Sequence, residues 1–406
     1  MKRISIVAMA ALLLVSCGRQ AIDTEKTSSW KSPLGTYYGT SMTMTCPEPP
    51  LKKLWDVKLP AYSKSSPVIA GGVVIVADES GMLQCIDGNT SQTVWKREMK
   101  STKAMQPVIG ANKVYVADGS PAVFCLDINS GDVVWSSDLD SNAVGWPVFG
   151  DGRLWVCTAK TLYCFEESKG AQIFAKTYGV EFTQTPTIQM HMFMVAGKKL
   201  LAVTPETGEK VWEKDFDREI IAPVCCTRSD IFVVDGRLNK LDGNTGTLLQ
   251  TYTNDLFYSK SGSGWDRVPN LEQPFTTGAA FYLNMLAIGT KSGEILGFQI
   301  NDITHYVFYH KINLPLSSAP IVTPKYIWFT APDLEDTGRF FCIANQLDAK
   351  WIWHDWYDEP VSSHPAVTDE AFYVLTDQGR LVKYSTGGQQ VNPADDVRKK
   401  SDKKQP

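Results

Sequence analysis

The chain has 406 residues, 43% hydrophobic and 21% charged, with a formal net charge of −4. This balance can bury a large core and excludes wholesale disorder; the basic residues form no long block, so the electrostatic footprint of a nucleic-acid binder is absent. Nine cysteines are too sparse for a small disulfide-stapled scaffold, and no apolar run reaches the roughly 18 residues of a membrane-spanning helix.

The N-terminus reads as an address. Lys2 and Arg3 precede an apolar run from Ile4 to Val15, the charge and length pattern of a secretory signal over residues 1–16. The run ends in Leu14-Val15-Ser16-Cys17, which resembles the bacterial lipobox. That resemblance implies cleavage before Cys17, a diacylglycerol on its thiol and acylation of the new amine; an ordinary signal peptide with an incidental cysteine is the alternative. Acyl chains hold a protein at a membrane without a helix, at about 0.8 kcal/mol per buried methylene. Gly18, not Asp, follows the cysteine, which by the enterobacterial sorting rule implies the outer membrane. Loss of Lys2 and Arg3 leaves 38 basic against 44 acidic residues, a mature charge of −6. Residues 17–50, polar and without periodicity, are expected to form a flexible tether behind the lipidated Cys17.

From residue 51 the sequence repeats. A blade-opening residue recurs at Pro67, Pro107, Pro147, Pro186, Pro223, Ala279, Pro320 and Pro365, at spacings of 40, 40, 39, 37, 56, 41 and 45. Each unit carries β-branched or aromatic runs separated by Gly, Asp, Asn or Ser. Four strands in about 40 residues is the signature of a propeller blade, so an all-β, eight-bladed β-propeller over 51–385 is expected. The last unit lacks a fourth strand, and residues 51–59 are a strand without a unit. Pairing them closes the ring and removes two sheet edges. Seven blades is the structural alternative, because one interval is irregular. Residues 386–406 read as a disordered polar tail.

Ala202, Gly208 and Trp212 stand at offsets 0, 6 and 10. Cys125, Gly131 and Trp135 repeat the spacing, Cys85, Ser91 and Trp95 nearly so, and Trp55 occupies the Trp place before the first unit. This resembles the tryptophan-docking motif of quinoprotein-like propellers. In that family the Trp stacks between neighbouring blades and the Gly makes the turn between the last two strands. Cys85, Cys125, Cys164 and Cys342 share the place of Ala202, so small size is the expected constraint there.

The resemblance raises catalysis, because quinoprotein dehydrogenases use a quinone with calcium and some place an adjacent-cysteine disulfide over it. Cys225-Cys226 is such a pair, but it aligns with Ile69-Ala70 and Ile109-Gly110 in ordinary blade register. Asp87, Asp127 and Asp242 occupy one repeated turn position, expected to cap backbone N–H groups. The five His residues show no zinc-binding spacing. No catalytic, cofactor-binding or metal-binding residue is therefore assigned.

Departures from the repeat are better pointers to function. One is the insertion 253–276, with Phe257, Tyr258 and Trp265; another is 351–359, with Trp356 and Tyr357; a third is the acidic tip 333–336. Phe257, Tyr258, Trp265, Trp356 and Tyr357 are the candidate partner-binding residues, aromatic anchors on protruding loops, unless they fold back onto the ring. Length, lipobox and blade count together resemble the lipoprotein B family of outer-membrane β-barrel assembly. That family implies a non-enzymatic scaffold, facing the periplasm and binding the barrel-assembly machinery, monomeric within a complex. A quinone-dependent periplasmic dehydrogenase with calcium, or a surface lipoprotein binding glycan or an unrelated protein, are the alternatives.

Overall fold

The computed structural model describes residues 21–389, apart from 26–27, 37–38, 100–104, 253–256, 262–263, 269–273, 313, 317, 333–336 and 347–349, with the backbone alone for 257–261 and 264–268. Cys17, the acidic tip and most of the tail lie outside the described residues.

The described residues form eight four-stranded antiparallel sheets and one two-stranded hairpin. The eight sheets cover 68–98, 108–138, 148–177, 187–215, 225–252, 280–311, 321–357 and 366–386, and are blades 1 to 8 in that order. Blades 1 to 7 are simple meanders, in which sequence neighbours are sheet neighbours. Blade 8 has only three strands of its own; Leu51–Lys58 supplies the fourth, pairing with Arg380–Thr386 from Leu51↔Thr386 to Lys58↔Arg380. The ring therefore closes by joining the two ends of the repeat, and eight blades replace the alternative of seven. The irregular interval is an inserted hairpin, Phe257–Ser261 against Gly264–Val268, outside the eight sheets.

Position in the ring decides burial. First strands of adjacent blades approach one another, as only strands nearest the axis can. Blade 1 shows the gradient: Val68–Ala70 and Val73–Ala77 are wholly buried, and Thr93–Glu98 alternates with Trp95 inward. Continuous β-branched runs suit strands covered on both faces, and alternation suits an outer strand wet on one. The buried apolar clusters lie between blades rather than within them. One joins blades 1 and 2, another 2 and 3, and so on to a cluster that spans blades 7, 8 and 1. Burial thus depends on neighbours, the reason such a repeat needs closure.

Among the described residues no helix is long and apolar enough to cross a membrane.

Candidate functional site

The docking positions are the first geometry the repeat dictates. Cys85 pairs with Trp95, Cys125 with Trp135, Ala202 with Trp212 and Cys342 with Trp353 across the third and fourth strands. Each indole then reaches the next blade. Trp55 Nε1 donates to Gly88 O at 3.2 Å, Trp95 to Ile128 O at 2.8 Å, Trp135 to Glu167 O at 2.9 Å and Trp212 to Gly243 O at 3.1 Å. The accepting carbonyl belongs to the residue after the repeated acidic turn position. Asp127 holds that turn by accepting from Asn129 N at 2.8 Å and Ser130 N at 3.0 Å, and Asp87 and Asp242 do the same in their blades. The indole lies on the turn glycine: a Cβ on Gly131 would sit 2.7 Å from Trp95, and one on Gly170 2.5 Å from Trp135. Gly208 stands against Phe174 of blade 3, which has no indole N–H; the equivalent carbonyl, Pro205 O, accepts instead from Trp155 Nε1 at 2.9 Å, and Tyr178 Oη donates to Gly208 O at 2.6 Å. Acidic residues, glycines and tryptophans of the repeat are thereby absorbed by blade-to-blade packing. In blade 8 the small place holds Lys383 instead, opposite Trp55, and its Nζ donates to the same Gly88 carbonyl at 2.7 Å.

A feature absent from the repeat crosses the axis. Within residues 28–36 and 39–50, expected as free tether, Trp30, Lys31, Thr40, Ser41 and Thr43 hydrogen-bond to inner strands of the ring. Trp30 exchanges two backbone bonds with Ile69 of blade 1, both 2.8 Å, and Lys31 O accepts from Ile109 N of blade 2 at 2.8 Å. Further along, Thr40 O accepts from Phe281 N of blade 6 and Ser41 O from Val322 N of blade 7. The tether expectation is corrected here, because polar composition concealed a buried anchor. Trp30 is 2% exposed and stacks on His364 with ring centroids 5.6 Å apart. His364 Nε2 lies 2.7 Å from Ser41 Oγ, and its Nδ1 lies 2.9 Å from Pro365 O. Full burial lowers the His364 pKa to about 4 and keeps the imidazole neutral. Trp30, Ser41 and His364 were missed in sequence; a lone Trp inside a polar run was the available signal.

The expected partner-binding residues fare differently. Phe257 pairs with Val268, Tyr258 with Arg267 and Trp265 with Lys260 in the inserted hairpin, which lies alongside the outer strand of blade 6; their side chains lie outside the described residues. Residues 351–357 are not a loop but the fourth strand of blade 7, Trp351–Tyr357. Tyr357 is 4% exposed, its hydroxyl 2.6 Å from that of Tyr384, so it belongs to the core and not to a binding surface. The strand's period of two turns it inward while Trp356 stays half-buried. Arg339 stacks on Trp356 with its guanidinium carbon 3.6 Å from the ring centroid, and lies 5.6 Å from that of Trp351. Trp351 in turn stacks on Phe341 at 5.2 Å. This cation between two indoles is a rigid aromatic platform on the outer rim.

The thiols offer no nucleophile among these groups. Cys85, Cys125, Cys164 and Cys342 are all fully buried, and burial pushes Cys125 and Cys164 up to about 12. Cys225 and Cys226 are free thiols, 1% and 2% exposed, and face different core clusters, as adjacent strand residues must.

The class these features define is an eight-bladed β-propeller whose blades are docked by tryptophans. The family model described as "Outer membrane protein assembly factor BamB" matches residues 79–174, which span blades 1 to 3. The chain is similar in structure to BamB from Moraxella catarrhalis, at TM-score 0.63 and 14% identity over 82% of this chain and 99% of that one. It is also similar to a quinohemoprotein alcohol dehydrogenase from Comamonas testosteroni, at TM-score 0.71 and 11% identity over 92% of this chain and 83% of that one. A computationally designed protein, Ika8, aligns at TM-score 0.64 and 14% identity over 85% of this chain and 99% of that one. No curated protein sequence matches the chain. An assembly factor, a dehydrogenase and a designed protein share the architecture, so the architecture alone selects none of their roles.

Proposed function

We propose that this chain is a lipid-anchored scaffold of the outer membrane, facing the periplasm, which binds envelope proteins during assembly of outer-membrane β-barrels. The observation that carries the reading is the match of residues 79–174 to a family described as an outer-membrane assembly factor. The lipobox ending at Cys17 supports it, since an assembly scaffold must be held where barrels insert. The inserted hairpin supports a binding role as well, because a rigid ring holds such a departure in a fixed place.

The surfaces offered to a partner are the inserted hairpin and the Trp351–Arg339–Trp356 platform. A photo-crosslinking amino acid at positions 257, 265 and 356, activated in living cells, tests this. The expected product joins the chain to a component of the barrel-assembly machinery from at least one position. Capture of no such component, where the machinery is abundant, contradicts the reading. The dehydrogenase reading rests on the structural similarity to the quinohemoprotein enzyme; dye-linked alcohol oxidation restored by quinone and calcium would replace the scaffold reading with it.

A further inference from the structure

The strap across the axis shows how this ring takes an extended segment. Its bonds fall on one repeated position, two residues after each blade-opening residue: Ile69, Ile109, Phe281 and Val322. In a four-stranded meander the first strand has one free edge, and this position turns its N–H and C=O toward that edge. The same position in blade 3 is Phe149. Its strand Val148–Gly150 pairs with Arg153–Cys157 in the register of blades 1 and 2, Phe149↔Leu154 matching Ile69↔Val74 and Ile109↔Val114. Among the described residues nothing pairs with Phe149 on the axial side.

That edge opens on a cleft of about 440 Å³ between the strap and blades 2 to 4. The volume falls in the range of ligand sites, roughly 300–1,000 Å³. Leu34, Val108, Trp146 and Phe149 give it apolar walls, and Ser29 and Thr187 contribute hydroxyls. Two of its three charges, Lys31 and Glu25, are already joined at 2.6 Å, and the third, Asp151, is exposed to solvent. The cleft continues directly from the place where Lys31 of the strap bonds Ile109, so a segment in it extends an interface the molecule already uses.

We propose that this cleft is a peptide-binding site that takes an extended, uncharged segment of alternating apolar and hydroxyl residues as an added strand on the Phe149 edge. Backbone bonds supply the affinity, as in strand addition to any open edge, and the apolar walls select alternate side chains. The site is independent of which partner meets the outer rim.

The test uses the full-length lipidated chain in detergent and a fluorescein-labelled hexapeptide of alternating valine and threonine, read by anisotropy. Saturable binding is expected. Methylation of alternate peptide amides leaves the side chains in place but removes strand bonds, and is expected to weaken binding at least about tenfold. Ser29→Trp at the half-buried mouth and Thr187→Trp deeper in the cleft are each expected to weaken it similarly; the first changes a surface position and keeps the test valid if the second misfolds. Absence of saturable binding to the unaltered chain, equal binding of the methylated peptide, or unchanged binding to Ser29→Trp overturns the proposal.

Discussion

His364 is the ring residue that touches the axial strap at two separate points, Trp30 and Ser41. It stacks on Trp30, contacts Ser41 and is wholly buried, and its pKa falls from 6.5 to about 4. The sign follows from linkage. Above pH 6.5 the imidazole is neutral in both folded and unfolded chains, and no difference arises. Between 6.5 and 4 the unfolded chain binds a proton that the folded chain refuses, so stability falls as pH falls. At pH 4.5 the loss is on the order of 2–3 kcal/mol. Urea midpoints of the unaltered chain and His364→Gln, compared from pH 7.5 to 4.5, are expected to differ in slope, with the variant losing less on acidification. Parallel slopes contradict the assignment. Nothing in the sequence marked this histidine, because its partner Trp30 stands more than 300 residues away, in a segment whose composition is that of a linker.

At the scale of the blade, the unit of stability is a contact between one blade's fourth strand and the next blade's turn. Trp135 donates to Glu167 O and lies over Gly170, whose φ is +68°. Gly170→Ala adds a Cβ 2.5 Å from the indole and forces a side chain into the left-handed region. Gly72, at φ +76°, has no atom within 4 Å of the same added Cβ, so it isolates the backbone cost. Gly72→Ala is expected to cost about 1–2 kcal/mol, and Gly170→Ala at least about 1 kcal/mol more, since overpacking adds about 1–3 kcal/mol. Equal costs by chemical denaturation would mean that the indole does not rest on the turn. These positions were legible in sequence because the contact repeats: Gly131 with Trp95 and Gly170 with Trp135 are spaced alike, and the acidic turn recurs at Asp87, Asp127 and Asp242. Trp353 is not singled out by spacing, because blade 7 carries Trp351 and Trp356 as well. Tyr357 was misplaced for a related reason. Aromatic density suggested a protruding loop, but a regular strand puts every second residue inside.

For the whole molecule, closure is the decisive event. Leu51–Lys58 joins the start of the ring to its end, and Arg380 fastens the seam by bonding both Asp56 and Glu359, at 2.9 Å and 3.0 Å. Periodicity revealed this seam, since a unit short of one strand and a strand without a unit can be counted. The strap and its cleft were not legible, because a non-repeating segment docks by backbone bonds that leave no side-chain pattern. The central claim is the role of the closed ring as an anchored scaffold. Native mass spectrometry of the chain extracted from membranes in mild detergent tests it most directly. The expected species is a polypeptide beginning at acylated Cys17 with a protein of the barrel-assembly machinery bound to it. A chain without acyl groups, or one carrying a quinone and no protein partner, would contradict it.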